Sequence, residues 1–290
     1  METIHTVEWM KQVARKMRTE GRVVGLVPTM GALHDGHASL VRAAQQQCQP
    51  VVVSVFVNPK QFGPNEDFEK YPRPIEADCA LLEGLQVPYL FAPLAAEMYP
   101  NGFRTSVSVE GLGERLEGRL RPGHFRGVTT IVLKLFEIAQ PHFAYFGRKD
   151  AQQVRLIRQM ARDLNLDTEI VVCPIVRDAD GLALSSRNAY LKGDQRRAAT
   201  VLYRALDAAR HDIVAGERDA VRLAGVLRKK IEAEPLATAD YVEIVDAETF
   251  EPVSRLQRAC LALLAVFVGS TRLIDNMLVE EQGDSLSIAL

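Results

Sequence analysis

The chain has 290 residues, of which 47% are apolar and 25% charged, a composition typical of one large or two ordinary globular domains and not of a disordered chain. Its formal net charge of −2 provides no overall field that would favour nucleic acid or an anionic membrane as a partner. No stretch approaches the roughly 20 apolar residues of a membrane span, and the four cysteines are scattered without CxxC spacing, so we expect a cytoplasmic protein without a zinc site or a disulfide framework.

The first part of the chain alternates apolar strands with amphipathic helices. Near-continuous apolar runs at 22–27 and 51–57 are typical of parallel strands that are buried on both faces. A helix predicted from about His37 to Gln47 joins them, which makes a right-handed βαβ unit. The same reasoning predicts further helices at 6–19, 74–85, 128–140 and 151–164, strands at 89–91, 143–146 and 169–173, and an extended segment at 104–109.

The pattern changes near residue 175. Beyond the loop at 174–188, helices are predicted at 194–215 and 219–234, and strands at 241–245 and 260–268 come before a tail. Helices and strands that are segregated along the chain indicate an α+β arrangement. We therefore predict an α/β domain with a parallel sheet in residues 1–175 and a smaller α+β domain in residues 176–290.

Two histidines stand where the first predicted strand meets its helix. His34 and His37 are three residues apart, with Gly36 just before the second, so both rings belong to one helix start. A helix N-terminus presents unpaired N–H groups and a partial positive charge, which together favour an anion. Either imidazole can donate a hydrogen bond to a phosphoryl group, and we therefore expect a nucleotide site here.

Five strings of the sequence carry a family resemblance. The segment His34-Asp35-Gly36-His37 resembles the HxGH signature of the nucleotidylyltransferase superfamily. The longer string 27–37 resembles the pantothenate synthetase family more specifically, and so do four later strings in the family's order, 56–62, 121–125, 146–153 and 180–188. The resemblance extends to Asn276 and so covers nearly the whole chain. It implies a Rossmann-like N-terminal domain, a smaller C-terminal lid domain and a homodimer.

The resemblance also implies an activity. An enzyme of this family condenses pantoate with β-alanine to give pantothenate and consumes ATP, in the pathway to coenzyme A. The carboxylate of pantoate attacks the α-phosphate of ATP, which gives pantoyl adenylate and pyrophosphate. The amine of β-alanine then displaces AMP. Magnesium is expected to accompany ATP, and its protein ligands are left open.

The same resemblance assigns site residues. Catalytic roles fall to His34, His37 and Lys149, with His37 expected nearer the reacting phosphate. Gln61, Gln153 and Asn58 are expected to bind pantoate, because uncharged amides can hold a hydroxy acid without weakening its carboxylate as a nucleophile. The other positions assigned to ATP are Met30, Gly31, Ala32, Leu33, Asp35, Gly36, Gly147, Arg148, Asp150, Val176, Leu184, Ser185, Ser186 and Arg187.

Individual positions leave alternatives open. Lys149 can place a point charge on a phosphate. Asp150 suits either a ribose hydroxyl or a helix N-cap, and the sequence does not separate these roles. Two hydroxyls and a guanidinium at 185–187 suit a pyrophosphate leaving group. Arg148 and Leu184 depart from the family, in which Glu or Gln and Met are more usual.

Two rival functions stand beside the ligase. A different adenylyl- or cytidylyltransferase would use the HxGH segment without β-alanine, but it would leave the three amides at 58, 61 and 153 without a role. A non-enzymatic nucleotide-binding homologue would be expected to have a broken motif, whereas every residue expected to contact phosphate is present.

Overall fold

The computed structural model describes residues 1–64, 66–282 and 285–290. It divides into two compact units. The first comprises Met1–Arg148 and Gln152–Pro174, and the second comprises Lys149–Ala151 and Ile175–Leu290. Within the described residues, no helix is both long and apolar enough to cross a membrane.

The first unit is built on a six-stranded parallel sheet, which confirms the predicted α/β class. The strands are β1 (Glu2–Ile4), β2 (Gly25–Thr29), β3 (Val51–Val55), β4 (Tyr89–Phe91), β5 (Phe143–Gly147) and β6 (Glu169–Cys173). Their order is β1-β4-β3-β2-β5-β6, so the direction of winding reverses between the neighbouring strands β2 and β5. Open parallel sheets bind ligands beyond the carboxyl ends of the strands at such a reversal.

Helices cover both faces of this sheet. The helices are α1 (Val7–Thr19), α2 (Asp35–Gln47), α3 (Ile75–Gly84), α4 (Ala95–Met98), α5 (Glu117–Leu120), α6 (His124–Ala139) and α7 (Ala151–Asp163). Leu26 and Val52 belong to the core on one face, together with side chains of α1, α6 and α7, whereas Val27 and Val53 belong to the core on the other face, with α2 and α3. Because successive strand residues enter opposite cores, the strands are unbroken apolar runs in the sequence.

The second unit packs helices against a four-stranded antiparallel sheet. The elements are α8 (Asp194–Ala198), α9 (Val201–Val214), α10 (Ala220–Glu232), β7 (Ala237–Asp246), β8 (Ala259–Val268), β9 (Thr271–Gln282) and β10 (Ser285–Ala289). The strand order is β10-β9-β8-β7. In α10, Leu223, Leu227 and Ile231 lie at helical spacing in a core shared with the sheet.

Local predictions differ from the structure in four places. The helix expected at 194–215 is interrupted before Val201, where the Thr200 hydroxyl donates to the carbonyl of Arg197 and competes with helical bonding. The segment 104–109 joins no sheet, because the N–H and C=O of Val107 bond to threonine hydroxyls of α6. The expected tail continues instead as β9 and β10, and the three-residue β1 was not anticipated.

Candidate active site

The two histidines cap the N-terminus of α2 reciprocally. Nδ1 of His34 accepts the N–H of Gly36 at 3.1 Å, and Nδ1 of His37 accepts the N–H of His34 at 3.3 Å. A neutral imidazole whose Nδ1 accepts a hydrogen bond carries its proton on Nε2. The two rings lie with their centroids 4.1 Å apart and are half-buried. The cap therefore fixes the tautomer of both rings and makes each Nε2 a hydrogen-bond donor.

A buried carboxylate that sequence reasoning missed shapes the loop before these histidines. Asp78 of α3 accepts the N–H of Ala32 at 2.9 Å and that of Leu33 at 2.7 Å. These bonds hold a loop in which Gly31 and Ala32 both have positive φ, 81° and 51°. Burial raises the pKa of Asp78, against the opposing effect of the two N–H bonds. The sequence carries a signal that Asp78 is buried, because it stands between Ile75 and Leu82 at helical spacing, but it carries none for the backbone groups that Asp78 contacts.

The amide of Asn58 is saturated by protein groups. Its Nδ2 donates to Oε1 of Gln61 at 3.0 Å and to the carbonyl of Gly127 at 3.1 Å. Its Oδ1 accepts the hydroxyl of Tyr99 at 2.8 Å and the N–H of Lys60 at 3.3 Å. Both donors and both lone pairs of the amide are thus occupied in this structure, and the bond to Oε1 orients Gln61.

Gln61 lies at the turn that follows β3, and it is 7% exposed. Its Nε2 contacts Sδ of Met30 at 2.8 Å, which brings two predicted site residues together. The turn sits directly against the start of α6, where a Cβ built on Gly127 would lie 2.7 Å from the N atom of Gln61. Only glycine allows this approach of the two backbones.

A charged cluster holds the carbonyl of Gln61 from the other side. His124 Nδ1 donates to that carbonyl at 2.8 Å, and Arg121 forms a bidentate pair with Glu66 at 2.6 and 2.7 Å. Burial, together with the Arg121 charge, lowers the pKa of His124 to about 4, so this ring is neutral at physiological pH. Burial acts to raise the pKa of Glu66, but the hydrogen bonds and charge of Arg121 outweigh it and hold this pKa below its usual range.

Adjacent glutamines at the start of α7 have different surroundings. Gln152 is 5% exposed, and its Nε2 donates to the carbonyls of Leu112 and Arg115 at 2.8 and 2.9 Å. Its Oε1 accepts the N–H of Glu117 at 3.2 Å, so Gln152 anchors the arginine-rich segment around α5. The predicted pantoate ligand Gln153 is half-buried.

The loop after β5 divides between the two units. Gly147 and Arg148 belong to the first, at the carboxyl end of the strand next to β2, whereas Lys149 and Asp150 belong to the second. Residues Arg148–Asp150 form a single 3-10 turn before α7.

In the second unit, the predicted loop 184–187 follows a short hairpin. Leu184 N–H donates to the carbonyl of Val176 at 2.9 Å, which brings these two predicted residues together. The Ser185 hydroxyl accepts the N–H of Arg187 at 3.3 Å and caps the 3-10 turn Ser186–Tyr190.

In the described part of the chain, neither a cluster of metal-binding side chains nor a disulfide bond is found. There, no group of three or more His, Cys, Asp or Glu side chains could hold a metal ion. All four cysteines, which lie within the described residues, are free thiols, and three of them are buried.

Comparisons with known proteins agree on one family. The profile of the family described as pantoate-beta-alanine ligase matches residues 2–278. Curated pantothenate synthetases of Caldicellulosiruptor saccharolyticus and Heliobacterium modesticaldum are 52% and 55% identical to this chain over 280 residues, which are 97% of this chain and 100% of each relative.

Solved structures give the same result. The pantothenate synthetase of Thermus thermophilus has 46% identity and a TM-score of 0.91, over 95% of this chain and 98% of that one. The pantoate-beta-alanine ligase of Francisella tularensis, solved in complex with beta-gamma ATP and beta-alanine, has 34% identity and a TM-score of 0.78, over 98% of this chain and 100% of that one.

Proposed function

The chain belongs to the pantoate–β-alanine ligase family, and from this premise we propose how its own residues carry out the reaction. It is a ligase of pantothenate biosynthesis that uses ATP. In the proposed first step, a carboxylate oxygen of pantoate bonds to the α-phosphorus of ATP and pyrophosphate leaves. In the second step, the nitrogen of β-alanine bonds to the acyl carbon, AMP leaves with the former carboxylate oxygen, and the amine loses a proton to solvent.

The pantoate site is proposed around Gln61 and Gln153. Gln61 is supported for this role because its backbone and its amide are both held, the former by His124 and the latter by Asn58. A side chain that is oriented before the substrate arrives loses little freedom on binding. Both glutamines are uncharged, so the pantoate carboxylate keeps its nucleophilicity. Asn58 is proposed as the third amide of the pantoate site, where it also orients Gln61 through its Nδ2.

The observation that carries the proposed chemistry is the reciprocal cap of His34 and His37. It gives two Nε2–H donors with fixed tautomers at the N-terminus of a 13-residue helix. Donors that are already aligned stabilise the charge that develops on a phosphoryl group without the cost of reorganising in the transition state. We propose that His37 contacts the reacting α-phosphate and that His34 supports it.

Further ATP contacts are proposed by segment. In the first unit, residues 30–33, Asp35, Gly36, Gly147 and Arg148 are assigned to the nucleotide. In the second unit, we assign Lys149, Ser185, Ser186 and Arg187 to the charged phosphates, because a point charge, two hydroxyls and a guanidinium suit anionic oxygens. Asp150, Val176 and Leu184 are assigned to the ribose and adenine.

Three features accompany this proposal. Magnesium would neutralise part of the triphosphate charge, bound mainly by phosphate oxygens and water. We also propose that the protein forms a homodimer. A cytoplasmic location is proposed as well, and the four free thiols support it, because thiols stay reduced in that compartment. Residues 1–175 are proposed as the nucleotide- and pantoate-binding domain and residues 176–290 as the C-terminal domain.

Pantoate-dependent exchange of labelled pyrophosphate into ATP, without β-alanine, tests the proposal. The wild-type protein is expected to exchange only with pantoate, and His37→Ala is expected to lower the exchange rate by about 10² or more, the effect of removing one preorganised donor. A folded His37→Ala protein with near wild-type exchange would remove His37 from the catalytic residues. Equal exchange without pantoate, or with another acid only, would refute the proposed substrate.

A further inference from the structure

Two consecutive buried polar residues on β9 serve different segments of the second unit. Asp275 is 2% exposed and Asn276 is fully buried. Successive side chains of a strand point to opposite faces of the sheet. Asp275 shares its face with the core residues Leu273 and Met277, and Asn276 occupies the other face. A buried carboxylate and a buried amide at adjacent positions each require specific partners.

Asp275 fastens the hairpin that leads into the loop 184–187. Its two carboxylate oxygens accept hydrogen bonds from both terminal nitrogens of Arg177, at 2.6 and 2.9 Å. Arg177 also donates to the carbonyl of Gly181 at the tip of the hairpin, at 3.1 Å. The hairpin is closed by the bond from Leu184 to Val176, so the direction in which the chain enters Ser185 depends on this buried pair.

Asn276 fastens the other proposed phosphate-binding segment. Its Nδ2 donates to the backbone carbonyl of Lys149 at 2.9 Å. The two anchors are also linked to each other, because the N–H of Asn276 donates to Oδ1 of Asp275 at 2.8 Å. One dipeptide thus contacts both the segment that carries Lys149 and, through Arg177, the segment that carries Ser185–Arg187.

We propose that Asp275 and Asn276 are positioning residues that set the separation between Lys149 and the loop 184–187. This inference rests on the proposed function, which gives both segments to the phosphates of ATP. A buried ion pair contributes little net stability compared with apolar side chains of similar volume, whereas it imposes a defined geometry. Positioning explains the choice of polar side chains in the sheet, because misplacement of a reacting group by about 1 Å can cost 10²-fold in rate.

The test compares Asn276→Asp with a matched control on the same sheet. Asn276→Asp keeps the shape of the side chain but replaces the donor to Lys149 with a carboxylate oxygen. The control is Asp240→Asn, which weakens the partly buried pair between Asp240 of β7 and Arg272 of β9, bonded at 2.9 Å. A second variant, Asp275→Asn, weakens the pair with Arg177 and is measured in the same way. If this variant does not fold, Asn276→Asp alone decides the test.

The measurement compares how each variant changes the steady-state kinetic constants for ATP and for pantoate. For Asn276→Asp, kcat/KM for ATP is expected to fall about tenfold or more, with the KM for pantoate within twofold of wild type. Asp240→Asn is expected to lower the thermal midpoint and leave the KM for ATP unchanged. The inference is overturned where Asn276→Asp leaves kcat/KM for ATP unchanged, or raises the KM values of both substrates alike. A wild-type protein without pantoate-dependent exchange would instead overturn the proposed function itself.

Discussion

Replacing Asp78 with asparagine is expected to displace the loop that leads into the histidine cap. Each of the two N–H bonds to this carboxylate is charge-assisted and short, 2.7 and 2.9 Å. Asparagine can accept only one of the two N–H groups at its oxygen, and its NH2 group faces the other. A buried donor left unsatisfied costs about 1–3 kcal/mol, so we expect Asp78→Asn to lower the free energy of unfolding by about this amount.

We expect Asp78→Asn to lower the rate of catalysis by a larger factor than its loss of stability alone would suggest. Ala32 and Leu33 stand next to His34, and a shift of about 1 Å at a reacting group can lower the rate about 10²-fold. Pantoate-dependent pyrophosphate exchange measures this step, and urea titration measures the unfolding free energy. Glu76→Gln is the control, because it makes the same change of charge at an exposed position of the same helix. A folded Asp78→Asn protein with the exchange rate of Glu76→Gln would refute the reasoning.

Two further predictions concern the turn at Gln61. Gly127→Ala is expected to lower kcat/KM for pantoate more than that for ATP, since its Cβ would lie 2.7 Å from the N atom of Gln61; equal changes in steady-state kinetics would contradict this. The pKa of His124 falls from 6.5 to about 4 on folding, so its neutral form stabilises the protein above pH 6.5, and this stability is lost as the pH falls towards 4. Urea titrations from pH 7 to 4 should therefore show a steeper loss for wild type than for His124→Asn, and parallel curves would contradict the assigned shift.

The parallel sheet could be predicted because its signal is local. Residues such as Val52 and Val53 enter opposite cores, so a strand buried on both faces produces an apolar run that is visible in the sequence. The histidine pair was visible for the same reason, since both its members and the helix that they cap are contiguous. Short edge strands such as β1 give no such signal, because three residues are too few to establish a pattern.

The supporting residues could not be predicted, because each depends on a contact that is distant in sequence. Asp78 acts on backbone groups 45 and 46 positions earlier, and Arg121 pairs with Glu66 across 55 positions. The surroundings of Asn58 could not be predicted for a related reason. Its residue type suits a ligand, and only the fold shows that Gly127 and Tyr99 already occupy its hydrogen-bonding groups.

Transfer of isotope from pantoate to AMP tests the central claim most directly. Pantoate labelled with 18O in both carboxylate oxygens is incubated with the wild-type protein, ATP, magnesium and β-alanine. Mass spectrometry then measures the 18O content of each product. Attack at the α-phosphorus places one 18O in AMP for each pantothenate formed and none in pyrophosphate. Unlabelled AMP, or 18O in inorganic phosphate accompanied by ADP, would contradict a pantoyl adenylate.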